Sequence, residues 1–290
     1  MKRRYFTLCL SWFIMLAVCG FAQSQTLSGT SWEVAKSTGT GSLKFAYVEA
    51  PSFVYRNSSG DLDGICIEIM EDFVKWVEKN KNIKLSIEYV GTGTNFHSMY
   101  GKVKSSSGGV FGLGNITITE ERKKEIQFSP PFIVNFAILI SNGSLPTLKS
   151  FDEISKSFGN GIAYTAKGTE NEKRVMELKN QYYSSMKIGY TTTSQEVLDK
   201  IINNDNGYGY LDLAFYLEAV KSRKNVKRQA IGDKAAEQFG FIMPKNSDWS
   251  SVMEEFFAAD GGYMNSVSYR NIVLKHLGET GIKLLRTARS

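Results

Sequence analysis

From Leu43 onward, short apolar runs alternate with longer stretches in which apolar residues recur every three or four positions. The short runs predict strands at Leu43–Glu49, Lys84–Val90, Gly109–Gly114, Phe136–Ser141, Gly161–Thr165, Met186–Tyr190, Gly207–Asp212 and Gly240–Met243. Helical spacing falls between them, over Ile67–Lys79, Asn95–Lys104, Phe151–Ser157, Glu170–Gln181, Ser194–Asn203, Leu213–Ser222, Trp249–Ala258 and Tyr263–Leu277. In the first of these, Ile67, Met70, Phe73, Val74 and Val77 share one face, while Glu68, Glu71 and Asp72 favour the positive N-terminal end. Thr169 followed by Glu172 is a capping box, and Gly278 predicts the end of the last long helix. Strands and helices alternating at this spacing predict an α/β fold with largely parallel sheets. The Ser-, Thr- and Gly-rich stretch 23–42 predicts a loose N-terminal arm.

The first 22 residues follow a different pattern. Lys2, Arg3 and Arg4 precede an apolar run from Tyr5 to Val18, and Gly20-Phe21-Ala22 supplies small residues for a cleavage site. This predicts a signal peptide over 1–22 and a periplasmic mature protein; the run is too short for a spanning helix, which needs about 20 apolar residues. Leu16-Ala17-Val18-Cys19 also resembles a lipoprotein box, although Val18 departs from the small residue such boxes prefer, so lipid anchoring through Cys19 is the lesser reading.

That segment changes the meaning of the charge. The whole chain carries a formal +6, from 35 cationic and 29 acidic side chains. Without the three leading cations it carries +3, which gives no reason to expect a nucleic-acid partner. The basic stretch Lys221, Arg223, Lys224, Lys227, Arg228 reads as a solvated helix end and turn, with no interleaved aromatics to stack bases. Cleavage after Ala22 leaves Cys66 without an intramolecular partner, a buried small hydrophobe rather than a reactive group. His97 and His276 are far apart with no second His or Cys at ligand spacing, so neither a metal nor a cofactor is expected. His276, beside Lys275, reads as a solvated surface residue; His97 follows Phe96 at a strand-to-helix turn and could border a cleft. The GxG pairs lack a third glycine at the dinucleotide spacing, and neither a phosphate-binding GxxxxGK[ST] loop nor a GxSxG elbow is present.

One segment points to binding chemistry: Gly114-Asn115-Ile116-Thr117-Ile118-Thr119-Glu120-Glu121-Arg122. A strand ending near Gly114 delivers Asn115 and Thr117 to its C-terminal edge, where open α/β sheets bind ligands. Arg122, one helical turn beyond Thr119, could hold a carboxylate through two parallel bonds beside the Thr117 hydroxyl and free amides. By local pattern alone Arg122 could equally pair with Glu121 or Glu125 on a short surface helix.

Three blocks settle between these by resemblance. LKFAYVEAPSFVYRNSSGDLDGICIEIMEDF (43–73), GNITITEERKKEIQFSPPF (114–132) and NGYGYLD (206–212), the last followed by FGFIMPKNSD (239–248), are similar to type II periplasmic solute-binding proteins of the amino-acid-binding family 3. That family shares its fold with the ligand-binding domain of ionotropic glutamate receptors. The resemblance implies two α/β lobes, 43–136 with 242–290 and 137–241, crossed twice by the chain, with a ligand cleft between them. It assigns Arg122 to the ligand carboxylate, Thr117 to the hydroxyl donor beside it, and Asn115 to the position two before. Asp212 takes the ammonium, Gly168 and Thr169 form the second-lobe turn that meets the carboxylate, and Phe53 is the covering aromatic with Glu49 near it. It further implies a monomer that captures a small zwitterion, an amino acid, and presents it to the membrane permease of an ABC transporter. The same fold also carries cyclohexadienyl (prephenate or arogenate) dehydratases and ligand-sensing modules, which are the alternatives. The chain departs from the family at Asn115, where a small residue or Pro is common, at the Ala50-Pro51-Ser52-Phe53 turn, and at Cys66, where bacterial members often have an acid.

Overall fold

The computed structural model describes residues 26–91 and 95–287. The export segment and Cys19 read from the sequence lie outside the described residues. Two mixed sheets, each flanked by helices, form two lobes.

The first sheet has five strands in the order Lys84–Tyr89, Thr40–Tyr47, Val110–Leu113, Ile242–Pro244, Ile126–Phe128. Its first three strands are parallel, and Ile242–Pro244 runs antiparallel to both of its neighbours. Helix Ile65–Lys81 lies on this sheet because Ile65, Cys66, Ile69, Met70, Phe73 and Val77 fall on one face and are all buried. Phe73 meets the rings of Phe111, Trp249 and Phe256. The helix starts at Gly64, whose φ of 129° suits glycine; a Cβ there would stand 2.4 Å from the Phe53 carbonyl oxygen. Gly64 thereby fixes the turn that carries Phe53.

The second sheet runs Val226–Arg228, Ile133–Asn142, Gly207–Asp212, Ile162–Ala166, Lys187–Thr191, with Lys234–Phe239 also paired to Ile133–Asn142. Helices Glu170–Tyr182, Ser194–Ile202 and Leu213–Lys221 flank it. The chain leaves the first lobe along Ile133–Asn142 and returns along Lys234–Phe239, antiparallel and with Asn135 opposite Glu237. Beneath this double crossover, Phe132 stacks on Phe241 and Phe53 meets Phe239 edge-on.

Several expectations change. The sheets are mixed rather than largely parallel, because the returning strand brings Ile242–Pro244 back against its neighbours. The stretch read as a loose arm contains helix Trp32–Thr38, capped by Ser31, and the first strand already begins at Thr40. The short pairs Tyr55–Arg56 with Leu62–Asp63, and the strands at 126–128 and 226–228, have too few residues to display a period, and Lys234–Phe239 (KAAEQF) does not alternate apolar with polar residues. Two of the five residues of the basic stretch, Lys227 and Arg228, lie in an edge strand, where Arg228 pairs with Asp233. Gly278 does break the last helix (φ 67°, ψ 175°), yet helical structure resumes to Thr287. That final segment packs on the second lobe, where a Cβ at Gly281 would stand 3.0 Å from Leu217 Cδ1. Among the described residues no helix is long and apolar enough to cross a membrane.

Candidate functional site

The loop after Val110–Leu113 approaches the first strand so closely that a Cβ at Gly114 would meet Val48 Cγ1 at 2.6 Å. The loop is then tied to the returning crossover segment, with Ile118 N donating to Gln238 O (2.8 Å) and Gly240 N to Ile116 O (3.1 Å). Thr119 caps the short helix Glu120–Lys123, its hydroxyl accepting from Arg122 N at 3.1 Å. These constraints aim Arg122 at the cleft. Its guanidinium lies over the Phe96 ring (4.6 Å to the centroid) and donates through Nη1 to Thr117 O at 2.9 Å. The side chain is only 12% exposed, and Nη2 stands 3.7 Å from Glu170 Oε1 of the other lobe. Burial pushes the guanidinium pKa below its ordinary value, and Glu170 pulls it back up.

The second lobe contributes two helix N-termini and one strand end. Thr169 caps Glu170–Tyr182 by accepting from Glu172 N (3.2 Å), and Glu172 reaches back to Gly168 N (2.7 Å). Glu170, Asn171 and Arg174 on this helix face the cleft, and Arg174 Nη1 donates to Asn171 Oδ1 at 2.7 Å. Arg174 also forms an ion pair with Glu237 of the returning strand. Thr193 caps Ser194–Ile202, setting Thr192, Thr193 and Ser194 at the wall. Asp212 closes its strand, is buried, and accepts from the Asn115 amide across the cleft. Burial pushes its pKa above the ordinary carboxylate value, while the Asn115 amide and the Arg174 charge oppose that rise.

These groups surround a cavity of about 50 Å³ lined from both lobes, so the cleft is drawn shut. Glu49, Asn115, Thr117, Arg122, Thr169 and Asp212 line it together. Gly168 lies outside, in a groove beside His97; a Cβ on it would be 3.8 Å from His97 Nδ1. Phe53 also lies outside, buried against Phe132 and Phe239, and the aromatic beside Arg122 at the cavity is Phe96. Arg122 pairs with neither Glu121 nor Glu125; its acid is Glu170, from the opposite lobe.

The sequence reading did not include Glu170, Asn171 and Arg174. Their signal was helical spacing: once Thr169 is placed at the cleft, residues 170 and 174 fall on one face of the helix it caps. Tyr47, Tyr208 and Tyr210 sit in the core, and Tyr164 does not line the cavity. The Cys66 thiol is buried 3.5 Å from Gly114 O, and burial pushes its pKa up.

His276 is not a solvated residue. Its side chain is 0% exposed, with ring nitrogens 3.0 Å from the Tyr55 hydroxyl and 2.9 Å from Glu68 Oε1. Lys275 Nζ joins the same cluster, 3.2 Å from Asp63 Oδ1 and 2.5 Å from Glu68 Oε1. Donor atoms of Asp63, Glu68 and His276 all lie within 4.8 Å of one another, and the Lys275 ammonium supplies their cation.

Residues 43–278 match the family model described as bacterial extracellular solute-binding proteins, family 3. Among solved structures, the chain is similar to an ancestral arginine-binding protein bound to arginine (20% identity, 82% of this chain and 98% of that one, TM-score 0.65). It is also similar to a putative L-cystine ABC transporter protein from Listeria monocytogenes (14%, 82% and 97%, TM-score 0.63). A third is an ancestral amino-acid-binding protein described as a precursor of cyclohexadienyl dehydratase (19%, 81% and 94%, TM-score 0.60). At these identities the likeness is one of fold, the two-lobed type II periplasmic-binding-protein fold.

Proposed function

Because the chain belongs to family 3 of the bacterial extracellular solute-binding proteins, we propose that it captures a small zwitterion, an amino acid, in the periplasm and delivers it to an ABC-type permease. The observation that carries this reading is that Arg122 and Asp212 line one cavity from opposite lobes. A ligand carboxylate takes parallel bonds from Arg122, with the Thr117 hydroxyl beside it, and the ligand ammonium takes Asp212. Both poles must be met before a zwitterion leaves water. Contacts made to both lobes at once favour the closed form, which is how binding becomes a hinge motion a permease can read.

Charge at the site suits a ligand of neutral or positive net charge: Arg122 and Arg174 face Glu170 and Asp212, Arg174 is also paired with Glu237, and Glu49 is matched by Arg56, 3.7 Å away. In this reading the protein acts as a monomer, with lobes of 43–136 plus 242–290 and of 137–241. The arginine bound by one structural relative and the cystine transport named for another are of the same ligand class. Isothermal titration against the twenty amino acids tests the proposal. Heat with at least one of them, lost in Arg122→Ala, is the expected result; no heat with any of them sinks it.

A second reading has one observation in its favour. Burial holds the Asp212 pKa above the ordinary carboxylate value, which suits a proton donor for a cyclohexadienyl dehydratase. Turnover of prephenate or arogenate by the purified protein decides that question.

A further inference from the structure

The guanidinium that would receive a ligand carboxylate already faces a carboxylate of the protein. Glu170 Oε1 faces Arg122 Nη2 at 3.7 Å, and Glu172 Oε2 accepts from Gly168 N at 2.7 Å in the second-lobe turn. Glu170 is the first residue of its helix, where the helix dipole and free amides favour an anion, and its side chain is only 18% exposed. It is also part of a ring. Glu170 Oε1 lies 3.2 Å from Lys173 Nζ, and Lys173 Nζ reaches back across the cleft to Glu121 Oε2 at 2.6 Å. Glu121 and Arg122 are neighbours in the chain, so the circuit Arg122–Glu170–Lys173–Glu121 crosses between the lobes twice.

We propose that Glu170 is a specificity-determining residue, a carboxylate tethered beside Arg122 that competes with a ligand's own carboxylate for the guanidinium. The inference rests on the reading of Arg122 as the carboxylate receptor. The Arg122–Glu170 separation exceeds hydrogen-bond length, so an incoming carboxylate making two bonds of ordinary length exchanges a looser contact for a stronger one. Displaced but still anchored to its helix, Glu170 remains beside the new anion. It therefore leaves extra negative charge in the cavity, which disfavours a ligand carrying a further carboxylate. The site thus selects amino acids with neutral or cationic side chains over acidic ones.

The energetic signs are specific to a contact that ligand removes. The Arg122–Glu170 pair stabilises the closed unliganded form but is absent from the liganded one. Deleting it therefore opens the empty protein without weakening the complex. A contact that persists on binding behaves in the opposite way, since its loss weakens the complex.

The test uses Glu170→Gln and, to remove the other half of the ring, Lys173→Met, each first checked for a wild-type circular dichroism spectrum. Small-angle scattering of the unliganded proteins reads the interlobe opening; titration with alanine, glutamine, arginine, aspartate and glutamate reads the selection. Expected are a larger radius of gyration for both variants, unchanged or up to about tenfold tighter binding of neutral and cationic amino acids by Glu170→Gln, and a larger gain for aspartate and glutamate. A wild-type radius for Glu170→Gln overturns the proposal whatever binds. So does an equal effect on acidic and neutral amino acids. If both variants open but neither they nor the wild type bind any amino acid, the amino-acid reading of the site fails while the latch stands, and the proposed selection falls with that reading.

Discussion

The side chains of Asn115 and Asp212 are hydrogen-bonded to each other from opposite lobes, the amide donating and the buried carboxylate accepting. Asn115 belongs to the loop tied to the returning crossover segment, and Asp212 to the end of a strand in the second sheet. The bond thus joins the two lobes across the cleft. An ammonium arriving at Asp212 adds a donor without requiring this one to leave, because an ionised carboxylate offers about four acceptor positions.

Asn115→Ala is therefore expected to loosen the closed form both with and without ligand. A hydrogen bond to a charged group contributes about 1.5–3 kcal/mol, part of which is recovered by water in the open form. The expected result is a larger radius of gyration for the unliganded protein and roughly three- to tenfold weaker binding of whichever amino acid binds the wild type. Scattering and calorimetry on the same samples check it; unchanged affinity contradicts the placement of Asp212 at the ammonium.

Arg122→Lys tests whether geometry or charge is what the carboxylate reads. Lysine keeps the charge but loses the planar fork, the bond to Thr117 O and the stack on Phe96. Affinity is expected to fall by roughly a hundredfold, a loss of about 2.7 kcal/mol, with the melting temperature close to wild type. Binding within threefold of wild type would show that a point charge suffices.

The raised pKa of Asp212 gives binding a pH signature. If Asp212 takes the ligand ammonium as proposed, binding needs its ionised form, so affinity is expected to decline on acidification, beginning at a higher pH than an unperturbed aspartate near 3.9 would give. The sign for stability is the reverse. A folded pKa above the unfolded one means that ionised Asp212 disfavours the unliganded fold, so its own contribution improves as pH falls through that range. Titrations at stepped pH check the first statement, and Asp212→Asn, compared with wild type in melting experiments over the same range, checks the second.

The sequence carried the fold because its period was written in long elements. Helix Ile65–Lys81 shows its apolar face over four turns, and the block from Val110 to Arg122 reads as strand, loop and cap in sequence order. Thr169 and Glu172 likewise form the cap their spacing announces. What escaped was whatever depends on the partner lobe. Glu170 and Arg174 lie in the run Glu-Asn-Glu-Lys-Arg, which by itself reads as a solvated face, and the acid that meets Arg122 is 48 positions away. The family resemblance puts Phe53 over the ligand, but Gly64 lets its turn fold inward over the crossover core. His276 escaped because its cover is the Tyr55–Asp63 hairpin, whose two-residue strands carry no periodic signal.

That hairpin yields the last prediction, which concerns stability and not binding. His276, in the last turn before Gly278, ties the C-terminal helix to two consecutive segments more than 200 positions away, contacting Tyr55 in the hairpin and Glu68 on helix Ile65–Lys81. His276→Ala leaves both partners short of a bond and opens a void inside the cluster, a combined loss of about 2–3 kcal/mol. For a chain of this size each kcal/mol moves the melting temperature by about 2–4 °C. The expected drop is therefore on the order of 5–10 °C, with amino-acid affinity within twofold of wild type, since His276 does not line the ligand cavity. Lys275 contacts the same acids, but its side chain is 54% exposed, so water screens its ion pairs and Lys275→Met is expected to shift the melting temperature far less. Differential scanning calorimetry of the two variants side by side decides the point. Equal shifts would mean that the exposed ammonium, and not the buried imidazole, holds the C-terminal helix to the first lobe.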